Sequence, residues 1–222
     1  MTRLQSELRR LYLPHSPDGQ DTDANGLVRA MVLELARPAD WEALAKVWRG
    51  VQVDLELPAP GIAVSGMDGY QLWFSLSEPL PVTQAMAFFE SLCARYLSDI
   101  APERIRVVPS VDARMVPAQQ GTTDHWSAFV APDLAAVFDE TPWLDFPPSP
   151  DGQADLLSRL ESIKHADFVR ALARLKPAVI APKSTDTPLD PKRFLLEVMN
   201  NDAVALELRI EAAKALLPYC AQ

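Results

Sequence analysis

The sequence predicts an α/β (α+β) fold, in which a mixed sheet with flanking helices is followed by an all-helical C-terminal segment. Strand-like and helix-like patterns alternate over residues 27–138. From Gln153 onward, apolar residues recur only at spacings of three and four. The chain has 222 residues, enough for one sizeable domain with a small appendage. We expect an α/β domain at 1–146, a helical extension with linkers at 147–187 and a helical hairpin at 188–222.

The N-terminal region is predicted to lead from a helix into the first strand and a second helix. Leu4–Leu13 carries apolar residues at helical spacing, and a polar loop follows it. Leu27–Leu35 is apolar and is expected to form a strand, with a helix as the alternative. A helix then begins near Asp40, with an apolar face that includes Trp41 and Trp48.

The segment Val51–Leu57 alternates apolar and polar residues, which is typical of a half-buried strand. Asp54 and Glu56 would project side by side from its polar face. Hard divalent cations such as Mg²⁺ and Mn²⁺ prefer carboxylate oxygens, so this pair is a candidate metal site. The alternative is a strand whose acidic face is simply solvated.

A glycine-containing hairpin is predicted directly after this segment. Gly61–Val64 and Tyr70–Leu76 are apolar and fit two strands, and Ser77–Pro81 is expected to end the second one. The turn between them, Ser65–Gly69, contains two glycines that can adopt positive φ. Its backbone N–H groups could approach a phosphate. The alternative is an ordinary hairpin turn.

Together these residues resemble the archaeo-eukaryotic primase superfamily, which includes primase-polymerases. Asp54-Leu55-Glu56 is similar to its first motif, an apolar strand that carries Asp-x-Asp or Asp-x-Glu. The nonapeptide Ser65–Trp73 is similar to its second motif, Ser-Gly-x-x-Gly-x-His followed by an apolar or aromatic pair. Gln71 stands where the family has histidine, and Gln cannot carry charge. Asp112 is the candidate for the third motif, and the resemblance covers roughly residues 50–135.

The resemblance implies a metal-dependent nucleotidyltransferase acting in DNA replication. Catalytic and metal-binding roles fall on Asp54, Glu56 and Asp112, which would hold Mg²⁺ or Mn²⁺. Nucleotide-binding roles are expected for six further residues: Ser65, Gly66, Gly69, Gln71, Arg114 and His125. One alternative is a degenerate homologue that binds nucleotides or nucleic acid without catalysis. Another is a noncatalytic module of a phage or mobile element that serves replication or packaging by binding a partner protein. A chance likeness of a glycine hairpin after an acidic strand is a further interpretation.

The middle of the chain is predicted to return to the sheet after one long helix. Val82–Leu97 has a continuous apolar face that indicates a helix. Short strands are expected at 104–108, 111–116 and 126–130, and a short helix from Pro132. The proline-rich segment 140–152 is either a domain edge or a segment held against the sheet by Trp143, Leu144 and Phe146.

Helices are predicted for the rest of the chain, at 153–163, 166–175, from Asp190 and at 206–217, with a linker at 177–188. The tail from Pro191 to Tyr219 resembles the C-terminal segment of phage terminase small subunits. This resemblance implies an origin in a phage or mobile element. It also implies self-association or docking of a partner protein through the last two helices. An ordinary αα-hairpin packed on the core is the alternative.

The net charge of −9 argues against a protein that coats nucleic acid nonspecifically. A local basic groove is compatible with this net charge. The candidates for such a groove are Arg104, Arg106 and Arg114, which flank Asp112. No apolar run is long enough to span a bilayer, and the first residues lack a signal-peptide core. We therefore expect a cytoplasmic protein. The two cysteines, Cys93 and Cys220, match no metal-binding spacing.

Overall fold

The computed structural model describes residues 1–13, 26–108, 116–175, 191–200 and 206–216. The chain divides into two compact units, Met1–Pro177 and Ala178–Gln222. Helices and an antiparallel sheet together confirm the predicted α+β class. The predicted strand at 111–116 lies outside the described residues apart from Val116, and so do most of the polar loop at 14–26 and the linker at 177–188.

The first unit contains, in chain order, α1 (Arg3–Leu11), β1 (Leu27–Ala36), α2 (Trp41–Val53), β2 (Gly61–Val64), β3 (Gly69–Pro81), α3 (Val82–Tyr96), β4 (Ile105–Val108), β5 (Ala128–Val130), α4 (Pro150–Ser158) and α5 (His165–Leu175). Single 3₁₀ turns lie at Pro102–Arg104 and Ala135–Phe138. The second unit contains α6 (Pro191–Asn200) and α7 (Leu206–Leu216). No helix in the described part of the chain has the length and apolar character needed to cross a membrane.

Side-chain caps fix where the first two helices begin. The Thr2 hydroxyl accepts the Gln5 N–H, and the Gln5 side chain accepts the Thr2 N–H, which forms a capping box at α1. The Asp40 carboxylate accepts the Ala43 N–H and so caps α2, as predicted. Asp40 therefore ends the loop after β1 and sets the direction in which α2 packs on the sheet.

The five strands form one sheet in the order β4-β1-β3-β2-β5, and every pairing between them is antiparallel. The predicted strands at 27–35 and 61–64 are confirmed. The expectation of a sheet that mixes parallel and antiparallel strands is wrong, because the named strands pair only in the antiparallel direction. β3 also continues to Pro81 instead of ending at Ser77. The pairing of β1 with β3 shifts between Val28 and Ala30, and this shift accommodates additional residues in β3. Because β2 is short, it does not pair with the C-terminal end of β3.

The strand predicted at Val51–Leu57 is wrong, because α2 continues through Val53. Leu44, Val47 and Val51 are fully buried and lie at helical spacing, whereas Val53 is 76% exposed. The helical period therefore overrides the period of two. Asp54 caps the end of this helix, and Glu56 has a positive φ of 55° where the chain turns away.

The two faces of the sheet differ in how completely they are covered. On one face, Leu33, Leu72 and Phe74 pack in the main core with residues of α2, α3 and α5. On the other face, α1 and α4 pack only against the part that contains Ala30 and Trp73. The remainder of this second face, formed by β1, β3 and β4, carries polar side chains.

The proline-rich segment after residue 140 is attached to the first unit through its backbone. The N–H groups of Trp126 and Leu144 donate to each other's carbonyls, at 2.8 and 3.0 Å. The N–H of Gly66 donates to the carbonyl of Pro142 at 3.0 Å. Phe146 is 78% exposed and takes no part in this attachment. The helices that follow, α4 and α5, contribute Leu157 and Phe168 to the cores of the same unit.

Candidate functional site

The two acids of the first motif lie at the end of α2 and are paired with basic and hydroxyl groups. Asp54 Oδ2 accepts hydrogen bonds from the Tyr96 hydroxyl at 2.8 Å and from Arg95 at 3.4 Å. Glu56 pairs with Arg174 at 3.2 Å. Burial and the hydrogen bond to Asp54 together raise the pKa of Tyr96 to about 12. These contacts join the end of α2 to α3 and α5.

Asp54 and Glu56, the described acids of the metal centre that the resemblance implies, are both already paired. A divalent cation at this position would compete with Arg95 and Arg174 and with the hydrogen bond from Tyr96. No group of three or more His, Cys, Asp or Glu side chains in the described ranges is placed to hold a metal ion. Asp112 and Arg114, the third acid and its neighbouring base, lie outside the described residues.

The Ser65–Gly69 turn has its N–H groups engaged within the protein. The Ser65 hydroxyl oxygen accepts from the N–H groups of Met67, Asp68 and Gly69 at 3.2, 3.1 and 3.0 Å. The Gly66 N–H donates to Pro142. The N–H groups of 66–69 are therefore already engaged, and a phosphate next to the turn would have to be held by side chains.

Both glycines of this turn are required by close packing. A Cβ on Gly69 would lie 2.3 Å from the carbonyl oxygen of Leu35 on the neighbouring strand. Gly66 has a φ of +78°, and its Cβ would lie 2.7 Å from the backbone nitrogen of Ser127. The residues that resemble the second motif thus bring the turn against β1 and against the chain before β5.

Gln71 takes part in a hydrogen-bonded chain on the open part of the sheet. Its Oε1 accepts the Trp73 Nε1–H at 2.9 Å, and its Nε2 donates to Glu34 Oε2 at 3.0 Å. Glu34 lies directly opposite Gln71 in the β1–β3 register and opposite Arg106 in the β1–β4 register. Directly opposite residues point to the same side of a sheet, so the three strands bring these side chains together.

These side chains line a cavity of about 640 Å³. We call it the sheet pocket; its floor is the open part of β1, β3 and β4, and its rim is the Ser65–Gly69 turn and the loops around it. It is lined by Val32, Glu34, Ala36, Arg37, Ser65, Met67, Asp68, Gln71, Trp73, Glu103, Arg104, Arg106, Val108, Val116 and Gln120. Val108 and Val116, which flank the segment containing Asp112 and Arg114, both belong to this lining.

Three arginines surround the sheet pocket, and each is paired with a carboxylate. The pairs are Arg37–Asp68, Arg104–Asp40 and Arg106–Glu34. Arg37 has a positive φ of 38° and pairs with Asp68, and its N–H donates to the Asp68 carbonyl. Arg104 donates to the carbonyls of Ala36 and Pro38, at 3.3 and 2.8 Å, so it also supports this loop. Arg106 is 72% exposed and lies 3.7 Å from Glu34, beyond hydrogen-bond distance, whereas the more exposed Arg37 is hydrogen-bonded to Asp68. Arg106 is therefore the less tightly held of the two exposed arginines.

His125 is placed beside the sheet pocket instead of in its lining. Its ring stacks on Trp143, with centroids 4.2 Å apart and an interplanar angle of 13°. Its carbonyl accepts the N–H of Gln120, which does line the pocket, at 2.9 Å. Among the nucleotide-binding candidates described by the structure, only Ser65 and Gln71 contribute to the lining.

Glu34 lines the pocket but lies outside the three motifs that resemble those of the primase superfamily. It is the only acid in the apolar run Leu27–Leu35, and its side chain is 10% exposed. A charge in a strand that is otherwise buried is itself a signal, because such a group needs a partner. Its neighbours Gln71 and Arg106 become apparent only from the sheet register.

Comparison with known proteins places the chain in no family: no protein-family model matches it, and no curated protein is significantly similar to it.

Proposed function

We propose that the first unit is a primase-like module that binds a nucleotide, or one nucleotide of a nucleic acid, in the sheet pocket. One observation carries this proposal: Ser65, Asp68 and Gln71, from the stretch that resembles the second primase motif, line the same cavity as three arginines. The cavity of about 640 Å³ is also within the usual size of small-molecule sites.

Arginine side chains would hold the phosphates. The planar guanidinium group binds phosphate oxygens in pairs, and Arg106 is 72% exposed with a long, 3.7 Å separation from its carboxylate. The overall charge of −9 does not attract polyanions from a distance, so binding should depend on local contacts. We therefore expect affinity that falls with added salt.

We propose binding without nucleotidyl transfer as the activity of the described site. Asp54 and Glu56 are engaged by arginines at the end of α2, and neither lines the sheet pocket. Gln71 is fixed by Trp73 and Glu34 and carries no charge. Catalysis of the primase type is the competing hypothesis, and the setting that both resemblances imply is DNA replication in a phage or mobile element.

The test is titration of the protein with ATP in the presence of EDTA, and with a short single-stranded DNA. Arg106→Ala should weaken ATP binding by about 1.5–3 kcal/mol, the usual contribution of a hydrogen bond to a charged group. Arg49→Ala is the matched control, because Arg49 is an exposed arginine on α2 outside the pocket. Equal affinity in Arg106→Ala and Arg49→Ala would contradict the proposal.

A polymerase assay separates the catalytic hypothesis from the binding hypothesis. Template-dependent incorporation of NTPs or dNTPs with Mn²⁺ is measured for the parent and for Asp54→Asn, which keeps an oxygen for the Tyr96 hydroxyl. We expect no incorporation by either protein. Incorporation by the parent that disappears in Asp54→Asn would establish the catalytic hypothesis instead.

The second unit favours an additional role in association. Among the side chains of α6 and α7 that the structure describes, Leu196, Leu208 and Ile210 are exposed at 39, 60 and 46%. We propose that these helices mediate self-association or bind a partner protein. Sedimentation velocity of the full chain and of Leu208→Glu tests self-association, and identical sedimentation of a monomeric parent and variant would leave only the partner protein.

A further inference from the structure

Within the described ranges, one carboxylate oxygen of Glu34 receives no hydrogen bond. Its Oε2 accepts from Gln71 at 3.0 Å. Its Oε1 lies 3.7 Å from Arg106 Nη1, which is an ion pair but longer than a hydrogen bond. No other group in the described part of the chain donates to Oε1. Oε1 is not fully buried, and Glu34 lines the sheet pocket, so a ligand in that pocket can supply a donor to it.

The neighbouring residues fix Glu34 as an acceptor. Trp73 Nε1 can only donate, so it holds Gln71 with its oxygen toward the indole and its NH₂ group toward Glu34. Trp73 is 2% exposed, so this arrangement is locked by the core. The pocket therefore presents a fixed, negatively charged acceptor at this point, and a bound molecule must bring an O–H or N–H to it.

The position of Arg106 indicates which donor that is. Arg106 and Glu34 are directly opposite each other on β4 and β1, so a phosphate held by Arg106 lies next to the carboxylate. In a nucleotide the sugar is bonded to the phosphate, and the base lies beyond the sugar. Carboxylates that accept from ribose hydroxyls are an established solution in nucleotide sites.

We propose that Glu34 accepts a hydrogen bond from a sugar hydroxyl of the bound nucleotide and thereby determines which sugar the sheet pocket takes. This inference rests on the proposed nucleotide binding and adds the part of the ligand that is selected. The phosphate gives affinity through Arg106, and the sugar hydroxyl gives selectivity through Glu34.

The experiment measures the affinities of ATP, 2′-deoxy-ATP and 3′-deoxy-ATP for the parent, Glu34→Ala and Glu34→Gln. All titrations contain EDTA, and thermal melting confirms that each variant is folded. One deoxynucleotide should bind the parent about tenfold more weakly than ATP, because it lacks a hydrogen bond to a charged acceptor. Glu34→Ala should bring the two affinities together, and Glu34→Gln, which keeps the shape without the charge, should reduce the difference.

Glu90→Gln is the matched control, since Glu90 is an exposed acid on α3 outside the pocket and should leave the preference unchanged. ATP binding with an unaltered sugar preference in Glu34→Ala overturns this inference and leaves the proposed function standing. Failure of the parent to bind any of the three nucleotides overturns both. A preference among ATP, GTP and CTP that Glu34→Ala abolishes, with no change among sugars, assigns the donor to the base and also overturns the inference.

Discussion

Replacing Gly69 by alanine should destabilise the first unit by about 3 kcal/mol, since overpacking costs about 1–3 kcal/mol and weakened hydrogen bonds add to it. The new Cβ would lie 2.3 Å from the Leu35 carbonyl oxygen and 2.9 Å from the Ala36 Cα, both backbone atoms of β1. Real Cβ atoms essentially never approach other atoms within 3.0 Å, so β1 and β3 must separate. Separation strains the adjacent hydrogen bond from the Arg37 N–H to the Asp68 carbonyl.

Urea unfolding followed by tryptophan fluorescence measures this loss. All five tryptophans, Trp41, Trp48, Trp73, Trp126 and Trp143, lie in the first unit, so the signal reports that unit alone. The midpoint and the slope of the transition together give the free energy of unfolding.

Two other glycines provide matched controls. Gly121 has a φ of +58° and open space around its Cβ position, so Gly121→Ala should lose only about 1 kcal/mol from backbone strain. Gly152 lies in α4, and a Cβ there would meet only the Ser149 side chain, at 3.7 Å and 3.9 Å, so alanine should stabilise by about 0.5–1 kcal/mol. If Gly69→Ala loses no more than Gly121→Ala, the packing argument is refuted. Unchanged stability combined with weaker ATP binding would instead support a direct role of the turn in holding phosphate.

Four further variants test the contacts that hold the helices in place. Asp54→Ala should destabilise the first unit by about 1 kcal/mol. Asp54→Asn should destabilise it less, because Asn keeps an acceptor for the Tyr96 hydroxyl. Urea unfolding that ranks the two variants in the opposite order would contradict a structural role of Asp54. The stability of the parent should fall as pH rises from 10 to 12, because the raised pKa of Tyr96 keeps its proton in the folded state while the unfolded state loses it. Tyr96→Phe should show a shallower fall over that range, and parallel curves would exclude the effect. Arg29 donates to the carbonyls of Arg9, Arg10 and Leu13 at 3.2, 2.7 and 2.6 Å. Arg29→Ala should therefore lower the free energy of unfolding by about 2 kcal/mol in the same urea assay. A loss below about 0.5 kcal/mol would show that water replaces these contacts.

The hairpin and the long helix α3 were predictable because their signals are local and strong. Gly61–Val64 and the start of β3 flank a turn whose glycines are needed for backbone geometry, and α3 repeats apolar residues over fifteen positions. A strand is predicted at Val51–Leu57 because Val51 fits both the period of two of a strand and the period of a helix. The choice depends on Leu44 and Val47 in the preceding turns of the same helix, which bury the same face.

The candidate site was predictable only in part, because it is assembled across strands. Ser65 and Gln71 are recognisable from the motif, and Arg104 and Arg106 from their clustering. The partnership of Glu34 with Gln71 and Arg106 depends on the register of three strands that are distant in sequence. No local pattern around Glu34 contains that information. Metal binding by Asp54 and Glu56 stays a prediction, and their arginine partners, which come from α3 and α5, are likewise not visible in the local sequence.

The sheet pocket depends on long-range strand pairing. Its floor requires β1 to pair with both β3 and β4, which are distant in sequence, and contacts of this kind are slow to form. If the proposed nucleotide binds there, it binds only chains that have completed both pairings, so saturating nucleotide should raise the melting temperature by mass action. Ligand binding and the assembly of these three strands are then linked in one equilibrium.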